Sequence, residues 1–221
     1  GVISGTGSIT ANPSAGGKFT FTGANTYSGG TTISSGTLQV GNGGTTGTLG
    51  AISANVVNNA KLIFNRSNAV SYSGTFSGTG ALTVATGGLT LSGLASYSGA
   101  TALSADAAAP SSIAYNYNTP PSTTGFSGSG AVTIAPAAGS TFTSAFTPGY
   151  TFDSTLTGLT LGANSSTHTQ TMTIGSAISI AGPISVYGGS ITVNKNLTSS
   201  AAGQGILLKA TGNIAQAAST T

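Results

Sequence analysis

The chain has 221 residues, 35 of them glycine; only 3 % are charged, the formal net charge is +3, and there is no cysteine. Ordinary domains are about a quarter charged, yet 38 % of this chain is apolar, which argues against disorder arising from low hydrophobicity and high net charge. A disulfide framework and a thiolate metal site are excluded by the missing cysteine, and no apolar run reaches the ~18 residues of a membrane-spanning helix.

The five basic residues, Lys18, Lys61, Arg66, Lys195 and Lys209, are scattered, and no two adjoin. Nucleic-acid binding needs clustered cations, so no nucleic-acid partner is expected. The first residues, GVISGTGSIT, have neither the basic start nor the apolar stretch of a signal peptide. Because the chain opens and closes within repetitive sequence, it reads as a segment of a longer polypeptide.

Short alternating runs follow one another along the chain: KFTFTG (18–23), TLQVG (37–41), KLIFN (61–65), ALTVA (81–85), LTLSG (89–93), AVTIA (131–135), LTLGA (159–163), TMTIG (171–175), ISIAG (178–182), ISVYG (184–188), ITVN (191–194) and ILLKA (206–210). Apolar side chains fall at every second position, the period of a strand. Gly, Asn, Ser or Pro closes nearly every run, as turn residues do. No stretch carries a convincing helical period. Residues 104–124, with Pro110, Pro120, Pro121 and the polar aromatic run YNYN (115–118), break the rhythm and read as an irregular excursion between a repeat-rich first half (1–103) and a second half (125–221) of one domain (1–221).

Two motifs recur. ISGTGSIT (3–10) returns as FSGTGALT (76–83) and FSGSGAVT (126–133). FTFTGANTYSGGTTIS (19–34) returns as LTLSGLASYSGATALS (89–104), with seven of sixteen positions identical. A third element, FTSAFTPGYTF (142–152), keeps only the frame in which Phe19 and Tyr27, Leu89 and Tyr97, and Phe142 and Tyr150 stand eight apart. Strands this short bury too little surface alone, but stacked at ~4.8 Å each pairs with its counterparts above and below. The sequence therefore predicts an all-β parallel solenoid of roughly ten rungs at about 20 residues per rung. Glycine is expected at tight corners with positive φ, and asparagine in hydrogen-bonded ladders.

The run TFTGANTYSGGTTISSGTLQVG (20–41) resembles the autotransporter-associated β-strand repeat, carried here by Gly23, Asn25, Thr26, Tyr27, Ser28, Gly29 and Thr31. The likeness covers residues 19–50 well and 89–104 in part, where Gly93, Tyr97 and Gly99 are kept while Ala95 and Ser96 replace the Asn-Thr pair. The C-terminal stretch 175–214 is similar in rhythm to the filamentous-haemagglutinin type of exported repeat. Both resemblances imply a right-handed parallel β-helix, part of a longer solenoid, on the surface of a Gram-negative bacterium or released from it. Neither repeat carries catalytic residues of its own.

Candidate chemistry is sparse. Asp106 and Asp153 are the only carboxylates, 47 residues apart, and His168 is the only histidine. A glycosidase needs two carboxyls within about 5–10 Å. A zinc site needs three or four ligands. His168, in STHTQTMT (166–173), is expected to face outward among the threonines. Asp153 reads as a turn aspartate. GTGSIT and GNGGTTG lack the Gly-Lys-Ser/Thr ending and following helix of a phosphate loop. No catalytic residue, cofactor or metal site is assigned; Gly23, Asn25, Tyr27, Gly29, Gly93, Tyr97 and Gly99 are read as residues that serve the repeat.

The expected role is a non-catalytic stalk or adhesive segment. Its expected partners are flanking solenoid segments of the same chain, like rods, a host surface or matrix glycans. The alternative is a β-helical carbohydrate-binding or polysaccharide-degrading module.

Overall fold

A computed structural model describes residues 1–104 and 110–217. These form about nine turns of a parallel β-solenoid without a helix. Each full turn visits three sides. The first side opens with Ile9–Ala11, Thr31–Ile33, Val56–Asn58 and Phe76–Ser77, extended by a bridge from Phe76 to Ala95. The second side carries seven strands from Lys18–Phe21 to Thr151–Phe152, and the third seven from Val70–Tyr72 to Ile206–Ala210. In the later turns Thr171–Ile174, Ser190–Val193 and Ile214–Gln216 stack as one sheet, and Ile178–Ile180 pairs with Leu197–Ser199.

Period-two alternation decides what faces inward. On the third side Leu89, Ile113, Val132, Leu159 and Ile184 stand in register on successive turns, and all are buried. Two residues on, Leu91, Tyr115, Ile134, Leu161 and Val186 form a parallel file. On the second side Leu38, Leu62 and Leu82 do the same before Thr101 and Phe126 take over. A three-residue strand contributes two such side chains at most. The stack gives each of them an apolar neighbour above and below, and burial is worth about 25 cal/mol per Å².

Turn length is not fixed. Lys18 pairs with Thr37, 19 residues on, whereas Val132 pairs with Leu159, 27 residues on. The surplus leaves the stack at corners, as at residues 136–145 and 162–170, between the third side and the first. Loops can vary there because the ladder depends only on the strands re-entering in register.

Within the expected irregular excursion 104–124, Ser112–Asn116 is a regular strand of the third side, paired with Gly88–Leu91 and Ala131–Ala135. The YNYN run misled because Tyr115 is an inward core residue, 2 % exposed, while Tyr117 lies outside the strand at 38 %. Asp106 lies outside the described residues.

The sequence repeats do not coincide with the turns. Ile9, Leu82 and Val132 hold the same place in the three copies of the first motif. They lie on the first, second and third sides respectively. The second motif behaves alike: its opening strand is Lys18–Phe21 on the second side but Gly88–Leu91 on the third, and its closing strand moves from the first side to the second. Each copy has advanced by one side. The first motif is therefore one corner with its flanking strands, the second spans two corners with a side between them, and each is used at more than one place around the turn.

Leu82 is 1 % exposed between Leu62 and Thr101. Leu82→Ala is expected to destabilise the chain by about 2–5 kcal/mol through a cavity in the file, measured by denaturant titration; Thr83→Ala, one residue on and outward, should shift the midpoint by less than about 0.5 kcal/mol.

Candidate functional site: the repeat corners and the buried hydroxyls

The repeat glycines are there for space. A Cβ on Gly23 would lie 2.0 Å from the Gly1 carbonyl oxygen, and one on Gly93 would lie 2.3 Å from that of Gly74. Gly29 meets Gly7 at 2.5 Å and Gly99 meets Gly80 at 2.1 Å in the same way. None of the four has positive φ, so the expected left-handed corner does not apply to them. They are required because consecutive turns press backbone on backbone at these two points. Positive φ occurs instead at Gly5, Gly78 and Gly128, one position in all three copies of the first motif, as expected of a tight corner, and where the chain leaves the stack, as at Gly41 and Gly162.

Asn25 ties three turns together. Its Oδ1 accepts from the Ile3 N–H at 2.9 Å on the turn before, and its Nδ2 donates to the Thr48 carbonyl at 2.8 Å on the turn after. Thr48 Oγ1 returns a bond to the Asn25 carbonyl at 2.9 Å. The carboxamide thus bonds to backbone on both sides, and the expected side-chain ladder is not formed. Ala95 cannot do this in the second copy, where a backbone bridge to Phe76 holds the turn.

The repeat tyrosines are buried, Tyr27 at 1 % and Tyr97 at 2 %. Each hydroxyl meets the threonine four residues on at 2.6 Å, Thr31 and Thr101 respectively. Both rings lie inside the stack, so neither offers a face for stacking on a sugar. Around Tyr97 the contact grows into a network: its hydroxyl also meets that of Tyr115, Thr101 Oγ1 lies 3.3 Å from Thr123 Oγ1, and Thr123 donates to the Gly99 carbonyl at 2.8 Å. Tyr150 departs from the frame, since its hydroxyl donates to the Pro121 carbonyl at 2.7 Å while its ring packs on Phe126 and Phe152.

Burial pushes these phenols up. The Tyr97 hydroxyl is raised to about 12 by desolvation, partly offset by its threonine bonds. Tyr72, whose oxygen accepts from the Leu49 N–H, is also raised to about 12 by burial. Tyr27 and Tyr115 move in the same direction for the same reason.

Arg66, a scattered cation by sequence, has a structural task. It is buried, 7 % exposed, and clamps the glycine loop GNGGTTG (41–47) from inside. Its guanidinium donates to the carbonyls of Gly47 and Thr45 and, at 3.0 Å, to Asn68 Oδ1. An arginine offers a five-donor fork, but nothing in the residue types shows that its partners are backbone carbonyls.

His168 corrects the outward expectation: it is 5 % exposed. His168 stands an even number of residues before Met172 and Ile174, both inward, so the two-residue period carried back through the loop before Thr171–Ile174 gives the buried side and not the outward one. Its Nε2 faces the backbone N–H and carbonyl of Ala163, and its own carbonyl accepts from Thr211 Oγ1 at 2.8 Å. Asp153 closes a local turn, with Oδ1 accepting from the Thr155 N–H at 2.9 Å and hydroxyl at 2.8 Å. Those bonds hold its carboxyl below the usual range. Among the described residues no group of three potential metal ligands converges.

Fold and corners together define a class: a parallel β-solenoid assembled from interchangeable corner modules. Residues 16–40 and 86–105 match the passenger-associated-transport-repeat model, so the two tyrosine corners are repeats of that kind. Over 47 residues, 21 % of this chain, the sequence is 53 % identical to "Adhesin BmaC autotransporter" of Brucella suis biovar 1 (strain 1330). The matched stretch spans 1 % of that protein's length. No solved structure matches.

An unfolded tyrosine titrates near 10, and Tyr72 and Tyr97 near 12 when folded, so between these values the native state holds more protons. Stability from these residues is complete below about pH 10. It falls toward pH 12, by about 1.4 kcal/mol per group for each pH unit that separates the folded titration from the unfolded one. Tyrosinate absorbance and circular dichroism should therefore change together in that window, and Tyr97→Phe should move the transition. Separately, Asn25→Ala is expected to cost about 1–3 kcal/mol by orphaning the Ile3 N–H and Thr48 carbonyl, read as a lowered denaturation midpoint.

Proposed function

We propose that this chain is a non-catalytic structural and adhesive segment of a large passenger protein, displayed on or released from a Gram-negative bacterium. The observation that carries this reading is the pair of passenger-associated transport repeats at 16–40 and 86–105, set as corners in about nine stacked turns. The short, 53 % identical match to an autotransporter adhesin supports it.

The chemistry of the described residues is consistent with a rod. Asp153 is engaged by Thr155, and His168 by its own loop, so each side chain has a local structural task. With so few charges, like rods repel one another weakly, which favours lateral contact. Repeated hydroxyl and amide groups along the outer faces suit weak multivalent contacts with a host surface or matrix glycans. Apolar side chains are exposed at both ends of the stack, Phe19 at 46 % and Ile214 at 50 %. Further turns of like geometry, from flanking solenoid segments or a second rod, are the partners proposed for these faces.

Antibodies raised against the purified segment are expected to label intact bacteria that express the parent protein, and added protease should remove the signal. Labelling only after permeabilisation would overturn display. Beads coated with the segment are expected to adhere to host-cell or matrix layers more than beads coated with an unrelated protein.

A further inference from the structure

The loop that carries His168 shapes a small surface pocket. Gly162, at φ +82, turns the chain out of the third side, and its Cα is pressed so close to the Tyr187 carbonyl that a Cβ would lie 2.2 Å away. His168 then folds under the loop and bonds back to Ala163. The result is a wall of Asn164, Ser165 and Ser166 beside the next two turns of the third side. On those turns Tyr187 and Lys209 are register partners. Tyr187 is half-buried and Lys209 exposed. The Lys209 ammonium donates to Asn164 Oδ1 at 2.9 Å, joining wall to floor. With Thr211 these residues line a cavity of about 180 Å³.

We infer that this pocket is a binding site for a single acidic sugar residue, a hexuronate or sialate unit of a longer glycan. Its volume of about 180 Å³ is below the ~300 Å³ at which sites for drug-sized ligands begin, which suits one ring. The lining is a phenol ring, a carboxamide, three hydroxyls, one ammonium and the small Ala210. The Asn164 carboxamide N–H groups and the Ser166 hydroxyl match a polyol, while Ser165 bonds Thr167 and Thr211 donates to the His168 and Gly189 carbonyls. An aromatic wall gives the ring's C–H face an apolar surface. A single ammonium matches one carboxylate; a phosphate would call for an arginine fork or several cations. Lys209 also uses only one of its three donors on Asn164. The chain's two carboxylates are Asp106 and Asp153; Asp153 is engaged by Thr155, and among the described residues Lys209 has no ion pair. His168 is a positioning residue here: it fixes the wall and has no contact with the ligand.

The inference deepens the adhesive reading and rests on it only for biological meaning, since the binding itself is tested on the purified chain while display is tested on cells. Amide and methyl chemical shifts of the full chain would be followed with methyl glycosides of glucuronate, galacturonate and N-acetylneuraminate. Methyl glucoside and sodium acetate serve as controls, each up to about 10 mM, where weak single-site contacts become visible. At least one acidic glycoside is expected to shift Asn164–Ser166, Tyr187 and Lys209. Glucoside and acetate should each bind about fivefold more weakly, the scale of an exposed ion pair. Lys209→Gln should lower the acidic sugar to the glucoside level, and Tyr187→Ala should weaken both sugars. Both substitutions lie on the outer face, and unchanged circular dichroism would show that the fold is kept. No shift with any acidic glycoside, shifts elsewhere on the chain, an acetate response equal to the sugar's, or an unaffected Lys209→Gln variant would each overturn the site.

Discussion

Everything in this molecule depends on backbone hydrogen bonding between successive turns. The strands are three to six residues long in most cases and could not persist as isolated hairpins or sheets. Stacked in parallel, each backbone N–H and C=O finds a partner on the adjacent turn, and each inward side chain finds an equivalent one. That arrangement dictates the composition. Inward positions are filled by Leu, Ile, Val, Phe and Tyr, outward ones by small polar residues, and points of backbone contact by glycine. Charge is rare because an ionised group inside the file would be buried without a counterion, and the outer faces need none to keep the ladder in register.

The polar groups that do enter the core are few, and nearly all are satisfied. Tyr97, Tyr115, Thr101 and Thr123 share hydroxyl contacts, Asn25 spans three turns, and Arg66 holds a glycine loop by its carbonyls. Ser111 is the exception among the described residues, its buried hydroxyl lacking a partner. Such contacts add little net stability when made and cost more when broken. Their effect is to fix which residue faces which across turns, a question that apolar files of similar side chains leave open. This explains how a tyrosine corner can sit on one side in its first copy and on the next side in its second.

Much of the fold was legible in the residues. Alternation marked strands such as Lys61–Asn65, Ala131–Ala135 and Ile184–Gly188, because a half-buried strand on a stack has a two-residue period. It failed at Ser112–Asn116, where two tyrosines two residues apart face different surroundings. At His168 the period carried back from Met172 gives the buried side that the structure has, so the outward expectation ran against the pattern. The repeat glycines were found by recurrence, but their purpose was not: recurrence marks a constraint without saying whether it is conformational or steric. Arg66 was missed because its partners are backbone carbonyls 19 and 21 residues away, and carbonyls leave no trace in side-chain identity.

By itself the sequence determined that the chain is a parallel stack of short strands with repeated corners and hardly any ionisable chemistry. Those properties follow from local period, turn residues and recurrence. Only the tertiary structure decided which corner each repeat occupies and which glycines lie against backbone. It also decided that the single histidine is buried beneath its own loop and that Tyr187 and Lys209 stand side by side. The physical reason is that register between turns is set by contacts across some 19 to 27 residues of intervening chain. Each loop inserted at a corner changes that spacing without changing the strands on either side of it.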